Sequence, residues 1–287
     1  CRGGSAAGLT RRSRRPRGRS SSHPRTLRVW EALVLAAIVA AAVGLPLYRV
    51  GVERGAARGF SSASGLYGPC SVLVVDQLSE DYPNPGLIEH IVGVFHRLNC
   101  TVTVIPGPRF TLEDFRLFQL YDVIIFRGHT GWANIYNPQT GQLRVLVGFF
   151  TGQKYRSDLY VDLQRRGLVV EGIPFSRPVE EPNKTYIAVT QEYIREYVPI
   201  KRGSTFILAT CFAGSKQLAG VLLEKGASTV IGWDKNVTVT RADQTLEELV
   251  DYYAKYHSWT RAARELPSEY RYDPQTGARL IVYTSKG

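Results

Sequence analysis

The sequence of 287 residues contains no methionine, and cysteine occurs in it only four times. Because position 1 is not methionine, we expect the true start of the chain to lie upstream, and Cys1 supports no interpretation. No spacing of cysteine, histidine and carboxylate residues is typical of a metal site, and no glycine-rich loop is typical of phosphate binding. The sequence therefore predicts neither a resident metal nor a bound nucleotide.

Acidic residues are absent from the first 28 positions, which carry nine arginines. The formal net charge of the chain is +11, but residues 49–287 hold 27 basic and 24 acidic residues, so their net charge is only +3. A protein that binds duplex nucleic acid concentrates positive charge on its folded domain. The distribution instead predicts a basic cytoplasmic arm at residues 1–28, a nearly neutral domain, and no nucleic-acid partner.

One long apolar run occupies residues 29–48, VWEALVLAAIVAAAVGLPLY, with a single charge at Glu31. About 20 apolar residues let a helix cross the hydrocarbon core of a bilayer. The arginines before the run place the amino terminus in the cytoplasm and residues 49–287 outside. A cleaved signal peptide is the alternative, but the run is long for one and no small-residue cleavage site follows. We expect a single-pass protein of the cell membrane, with the bilayer contacting residues 29–48.

Three of the six asparagines lie in acceptor sequons for glycosylation, Asn99-Cys-Thr, Asn183-Lys-Thr and Asn236-Val-Thr. A single sequon is weak evidence, but three among six asparagines exceed chance expectation. They favour an exported domain, which we expect at residues 70–287 after a linker at residues 49–69 that is rich in glycine, serine and alanine.

Cys70 and Cys100 each immediately precede a predicted strand, at residues 71–76 and 101–105. If these strands are parallel neighbours, both thiols lie at the same end of the sheet and within disulfide range. A disulfide is one hypothesis, and two buried free cysteines are an equal alternative. Either arrangement leaves Cys211 unpaired in an oxidising compartment, where a lone thiol calls for a functional explanation.

Strands and helices alternate through the predicted domain. Strands are predicted at residues 71–76, 101–105, 121–126, 204–210 and 229–233, and helices at residues 86–98, 111–119, 190–198, 215–225, 243–257 and 259–266. The turn sequence Asn137-Pro-Gln-Thr-Gly141 predicts an inserted hairpin between residues 133–136 and 142–150. The alternation predicts an α/β fold with a mostly parallel central sheet of six strands.

Two predicted strands end in reactive side chains, His129 after YDVIIFRG and Cys211 after STFILAT. The carboxyl ends of parallel strands meet at one edge of the sheet, where α/β proteins collect their chemistry. A thiol and an imidazole at that edge are what a cysteine nucleophile and its base require. Taken singly, each residue can also have a purely structural role, Cys211 as a buried cysteine and His129 as a histidine that ends a strand.

The segments FILATCFAG around Cys211 and LAGVLLEKGASTVIGWD, which ends at Asp234, resemble the caspase-like cysteine peptidases of clan CD, in their gingipain, clostripain and CHAT-type branches. The order of histidine before cysteine is also that of the clan, and the similarity covers roughly residues 70–270. The resemblance implies a three-layer caspase-like (caspase-hemoglobinase) fold and a cysteine endopeptidase that acts on polypeptides.

The resemblance also implies roles for particular residues. Cys211 becomes the nucleophile and His129 the base, backbone amides of Thr130, Gly131 and Cys211 become oxyanion donors, and Asp234 becomes an S1 acid for a basic P1 residue. A turn-starting role is an equal alternative for Asp234. A helix start just after Cys211 predicts a lowered thiol pKa. No cofactor is implied, although calcium dependence stays open.

The sequence Gly128-His129-Thr130-Gly131 departs from the His-Gly pair that is usual in the clan. The departure leaves open which amide faces the oxyanion, and it permits a second reading, a binding or sensing module without turnover. A third reading, a glutamine-amidotransferase-like enzyme, requires the cysteine before the histidine. His257 is the one histidine after Cys211, and it lacks the His-x-Glu pattern of that class.

Overall fold

The computed structural model of the protein describes residues 70–137, 141–174 and 184–285. The predicted basic arm, apolar run and linker, at residues 1–69, lie outside these ranges, as does the sequon asparagine Asn183. Within these ranges no helix combines the length and the apolar character that crossing a bilayer requires.

Strands and helices alternate as the sequence predicts, with a larger insertion. The strands are β1 (Ser71–Asp76), β2 (Thr101–Pro106), β3 (Val123–Arg127), β4 (Thr130–Asn137), β5 (Gln142–Lys154), β6 (Val169–Gly172), β7 (Tyr186–Thr190), β8 (Thr205–Ala209), β9 (Thr229–Trp233), β10 (Tyr272–Asp273) and β11 (Ala278–Thr284). The helices are α1 (Pro85–Arg97), α2 (Val161–Arg165), α3 (Gln191–Tyr197), α4 (Lys216–Glu224), α5 (Val239–Tyr256) and α6 (Trp259–Glu265), with 3-10 segments at Gly107–Arg109, Glu113–Leu120 and Ser268–Arg271.

The central sheet has the strand order β10-β11-β9-β8-β3-β1-β2. The five predicted strands β1, β2, β3, β8 and β9 are parallel to one another, and β11 extends the sheet by pairing antiparallel with β9. The predicted α/β class with a mostly parallel sheet is therefore confirmed, but the sheet has seven strands, because the short strand β10 pairs with β11.

The inserted hairpin is part of a second sheet. β4 and β5 pair antiparallel, and β7 and β6 extend them into a four-stranded sheet in the order β4-β5-β7-β6. Alternation of side chains across these strands points one face, which includes Phe149 and Val189, into the main hydrophobic core. The opposite face carries Gly131 and Gly148 beside a small hydrophobic cluster of Phe150, Tyr186 and Ala188, and it borders a cavity.

Period-2 alternation also divides the side chains of the central sheet. On β1, Val72 and Val74 pack with α1, α5 and α6, whereas Leu73 and Val75 enter the core that contains α4 and the second sheet. The expected helix at residues 111–119 is a 3-10 segment, Glu113–Leu120. Phe115 and Phe118 are both fully buried, and their spacing of three matches the 3-10 repeat, which brings both rings to the same side.

The disulfide hypothesis is confirmed. Cys70 and Cys100 form a disulfide whose Cα atoms are 4.6 Å apart. Each cysteine precedes its strand by one residue, and the parallel register pairs Ser71 with Thr101, so the two thiols meet at the amino end of the sheet. The bond closes a loop that contains α1.

We expect the double variant Cys70→Ser, Cys100→Ser to unfold with a free energy lower by about 3–4 kcal/mol. The physical reason is the closure entropy of a loop with a sequence separation of 30 residues. Guanidinium denaturation measures the difference, with Cys211→Ser as the control that removes a thiol but no cross-link. Equal stability of the double variant and the wild type would contradict this account.

Candidate active site

His129 and Cys211 follow neighbouring parallel strands, β3 and β8. The register pairs Arg127 with Ala209, so each reactive residue lies two positions beyond a paired strand end. Adjacent strands are about 4.8 Å apart. The hydroxyl of Thr210 donates to the hydroxyl oxygen of Thr130 at 3.1 Å and ties together the two loops that carry the reactive residues. The structure therefore brings the imidazole and the thiol to the same edge of the sheet.

Two cavities meet at this edge, and His129, Cys211, Phe212 and Asn236 line both of them. The larger, about 850 Å³, extends between the loop after β1 and the start of α5. The smaller, about 340 Å³, lies on the face of the second sheet that carries Gly131 and Gly148. A molecule bound at Cys211 thus has space on both sides of the sulfur atom, as a polypeptide that continues in both directions requires.

The Cys211 thiol is held by the backbone of Val237. The sulfur accepts the Val237 N–H at 3.4 Å, and the thiol donates to the Val237 carbonyl oxygen at 3.6 Å. Burial raises the pKa of Cys211 above its ordinary value. The prediction of a lowered pKa is wrong, because burial outweighs the hydrogen bonds to the sulfur and α4 begins only at Lys216, after the Ser215 cap.

His129 is half-buried and neutral at physiological pH. Burial lowers its pKa to about 4, with Arg127 adding to the effect and Asp81 opposing it. Its backbone N–H donates to Gln77 Oε1 at 2.8 Å, which fixes the position of the residue at the strand end. Its Nε2 atom is buried and has no hydrogen-bond partner among the described residues. An unpaired buried nitrogen beside a cavity is an available proton acceptor.

The ladder between β4 and β5 decides which amide is available to an oxyanion. The Phe150 N–H donates to the His129 carbonyl oxygen, so His129 and Phe150 form a hydrogen-bonded pair. In an antiparallel ladder such pairs alternate, so Gly131 also directs its N–H to β5, opposite Gly148. By the same alternation the Thr130 N–H points away from β5. Of the predicted donors, Thr130 and Cys211 therefore remain.

The turn after Cys211 has an unusual backbone. Phe212 has φ of 55°, in the left-handed region that aromatic residues rarely adopt. Its N–H donates to the Lys235 carbonyl oxygen, and its ring packs on Trp132 with centroids 5.4 Å apart. Such a conformation costs about 1–3 kcal/mol and is concentrated at functional sites. The strain accompanies a sharp turn that leaves Cys211 at the junction of the two cavities.

Asp234 lines neither cavity. Its carboxylate accepts the backbone N–H of Arg279 at 2.7 Å, and its own N–H donates to the Arg279 carbonyl oxygen, so it continues the pairing of β9 with β11. The S1 role of Asp234 stays a prediction that these contacts do not support. The glycosylation of Asn99 and Asn236 also stays a prediction. Asn99 is exposed after α1, whereas Asn236 lies at the mouth of the cleft.

Sequence reasoning missed a buried ion cluster beneath the site. The guanidinium of Arg127 donates to Asp76 at 2.7 Å and to both carboxylate oxygens of Asp243, at 2.7 and 2.8 Å. It also donates to the Tyr82 carbonyl oxygen at 2.7 Å. The signal was present in the sequence, since Asp76 and Arg127 each end an otherwise apolar strand, and a charge at such a position needs a partner.

Gln77 was missed as well. It is buried, and its N–H donates to the Arg127 carbonyl oxygen, while its side chain holds the His129 amide. Asp81 lies close enough to influence the His129 pKa, and its carboxylate accepts bonds from Lys184 and Tyr186. No sequence pattern marks a glutamine or an aspartate in a loop as a neighbour of a residue some 50 positions away.

No protein-family model matches the chain, and no curated protein matches it significantly. Among the residues that the structure describes, no group of three histidine, cysteine or acidic residues is arranged to hold a metal ion. The geometry of the cleft is therefore the basis for a functional assignment.

We expect Arg127→Met to destabilise the protein by about 3–5 kcal/mol, because it leaves two buried carboxylates without their cation. Thermal and guanidinium unfolding measure the change. The matched control is Arg156→Met, since Arg156 pairs with Asp158 on the exposed surface, where ion pairs contribute little. Equal stability of the two variants would show that the cluster is not a structural requirement.

The rate of Cys211 alkylation by iodoacetamide should rise with pH to a midpoint above the ordinary thiol value of about 8.5, because burial disfavours the thiolate. Mass spectrometry of Cys211 peptides follows the rate, and the same protein in concentrated guanidinium supplies the unshifted control. A midpoint below neutrality would mean that the folded protein holds a thiolate–imidazolium pair.

Proposed function

We propose that the chain is a cysteine endopeptidase of the caspase-like type, with Cys211 as nucleophile and His129 as general base. The observation that carries the proposal is the shared cleft: the Cys211 thiol and the unpaired Nε2 of His129 lie at the ends of adjacent parallel strands, where two cavities meet. The helices and the largely parallel sheet support the same resemblance.

The neutral state of both groups defines the first chemical step. At neutral pH the imidazole is unprotonated and the thiol keeps its proton, so the proton passes to His129 as the sulfur attacks the carbonyl carbon of the scissile peptide bond. The carbonyl π electrons move to the oxygen, where the amides of Thr130 and Cys211 are suited to bind the negative charge.

Collapse of this tetrahedral species breaks the carbon–nitrogen bond. The leaving amine takes the proton from His129, and the acyl group remains on the Cys211 sulfur as a thioester. Water then attacks the thioester, again with His129 as base, and releases the carboxylic acid and the thiol. No electron acceptor or added cofactor enters these steps.

The location of the enzyme is part of the proposal. The apolar run at residues 29–48 anchors the chain in the cell membrane, and the catalytic domain lies outside. The disulfide between Cys70 and Cys100 supports an oxidising compartment for the domain. A preference for basic P1 residues is not included, because Asp234 is engaged with β11 and lies outside both cavities.

A binding or sensing module without turnover is the second candidate. It is favoured by the hydrogen bonds of the Cys211 sulfur, which go to Val237, while Nε2 of His129 has no partner among the described residues. In such a module the same cleft would hold a polypeptide segment and release it unchanged.

Labelling of the full chain by peptidyl acyloxymethyl ketones tests the enzymatic proposal. The panel carries basic, acidic, aromatic and aliphatic P1 residues, so that the unknown specificity does not decide the result. We expect labelling at Cys211 that is lost in Cys211→Ala and reduced at least 100-fold in His129→Ala, as removal of a general base predicts. Labelling should also fall as the pH drops through about 4, where His129 gains its proton.

His96→Ala is the matched control, because His96 is an exposed histidine on α1, away from the cleft. An absence of labelling with every member of the panel, in a protein that still folds, would favour the binding module.

A further inference from the structure

The outer edge of β4 has no partner strand among the residues that the structure describes. β4 is terminal in the four-stranded sheet, and no strand among residues 70–137, 141–174 and 184–285 pairs with its outer side. Its sequence, TGWANIYN, has no charge and no proline over eight residues. Folded proteins normally protect such edges with lysine, proline, a bulge or a short strand, because free N–H and C=O groups recruit further strands. The lack of protection indicates an edge that is meant to be paired.

The alternation of the ladder identifies the free groups. Because Gly131 directs its N–H and C=O to β5, the backbone groups of Trp132, Asn134 and Tyr136 face outward. Trp132 lies beside Phe212, the residue after Cys211, whereas Asn134 and Tyr136 are exposed beyond it. The free edge therefore begins at the cleft and leads away from it.

An exposed apolar surface accompanies this edge. The register pairs Asn134 with Val145 and Tyr136 with Leu143, so these side chains share one face with Trp132. Their exposed fractions are large for apolar residues, at 42% for Trp132, 62% for Tyr136, 62% for Leu143 and 49% for Val145. Contiguous exposed apolar side chains mark interaction surfaces.

We propose that the outer edge of β4 binds an extended segment of the polypeptide substrate by strand addition, with apolar side chains at alternate positions of that segment packing on Trp132 and Tyr136. This inference rests on the proposed function. The occupant is a substrate strand because the edge is continuous with the cleft: Gly131, Trp132 and Ala133 line the same cavity as His129 and Cys211. Strand addition gives affinity through main-chain bonds and selectivity through alternate side chains.

The geometry sets the length of the substrate. Asn134 lies four residues beyond Thr130, which corresponds to about 14 Å of extended chain. A segment that reaches from Cys211 to the exposed part of the edge therefore needs about four to six residues on one side of the scissile bond. Unfolded or flexible chains satisfy this requirement, whereas peptides of fewer than about four residues do not.

Asn134→Pro tests the proposal, with Asn134→Ala as its matched control. Both variants lose the side chain, but only proline removes the outward N–H, and a proline is tolerated where a strand N–H faces solvent. Both are made in Cys211→Ala, so that the peptide is bound and not cleaved. The probe is a fluorescent twelve-residue peptide in which valine or phenylalanine alternates with threonine. We expect about tenfold weaker binding for Asn134→Pro than for Asn134→Ala.

Peptides methylated on single backbone nitrogens provide a second test that needs no proline variant. Methylation at every second position of the bound segment should weaken binding to the Cys211→Ala protein, and methylation at the intervening positions should not, because only alternate N–H groups of an added strand face β4. An effect without this alternation would overturn the proposal, as would equal binding by the two Asn134 variants.

Light scattering on the same variants distinguishes the competing occupant. If Asn134→Pro converts a dimer into a monomer, the edge joins two copies of the chain and the substrate proposal is wrong. The ketone labelling separately tests the dyad. If Cys211 is labelled but the methylated peptides show no alternation, only the strand-addition proposal is wrong. If the alternation is found but no ketone labels Cys211, the edge binds peptides in a protein that is a binding module and not a peptidase.

Discussion

The buried contact of Arg127 with Asp76 and Asp243 is the constraint on which the site depends. Arg127 ends β3, Asp76 ends β1 and Asp243 lies on α5, so one guanidinium joins two strand ends and a helix. The side chain of Arg127 is almost fully buried, and each of its bonds is charge-assisted, which makes the geometry rigid. The cluster therefore fixes the starts of the loops that follow β1 and β3 relative to each other and to α5.

Those loops carry the functional groups. Gln77 follows Asp76 directly, and its side chain holds the amide of His129, two residues after Arg127. Asn84 extends the same network, because its side chain donates to Asp243 and accepts the Leu87 N–H at the start of α1. The ion pairs of Arg127 and the Gln77 side chain thus fix the backbone that carries His129, and His129 lines both cavities. A structural cluster and a reactive residue share one strand end.

The electrostatic state of the cleft follows from its burial. Both reactive groups are partly buried, so the neutral thiol and the neutral imidazole are favoured over an ion pair. In the proposed reaction, charge would therefore develop only as the sulfur attacks a carbonyl carbon. The strained turn at Phe212 directly follows Cys211.

The sequence by itself determined the five parallel strands, the hairpin of β4 and β5, and the order of His129 before Cys211. Hydrophobic periodicity and turn-forming residues depend only on neighbouring positions in the sequence. An apolar run such as VIIF has few alternatives to a buried strand. Only the tertiary structure decided the partners of Arg127, the contact of Asp234 with β11, the raised thiol pKa and the free edge of β4. Each of these depends on which distant segments become neighbours and exclude water, and one sequence contains no local signal for that arrangement.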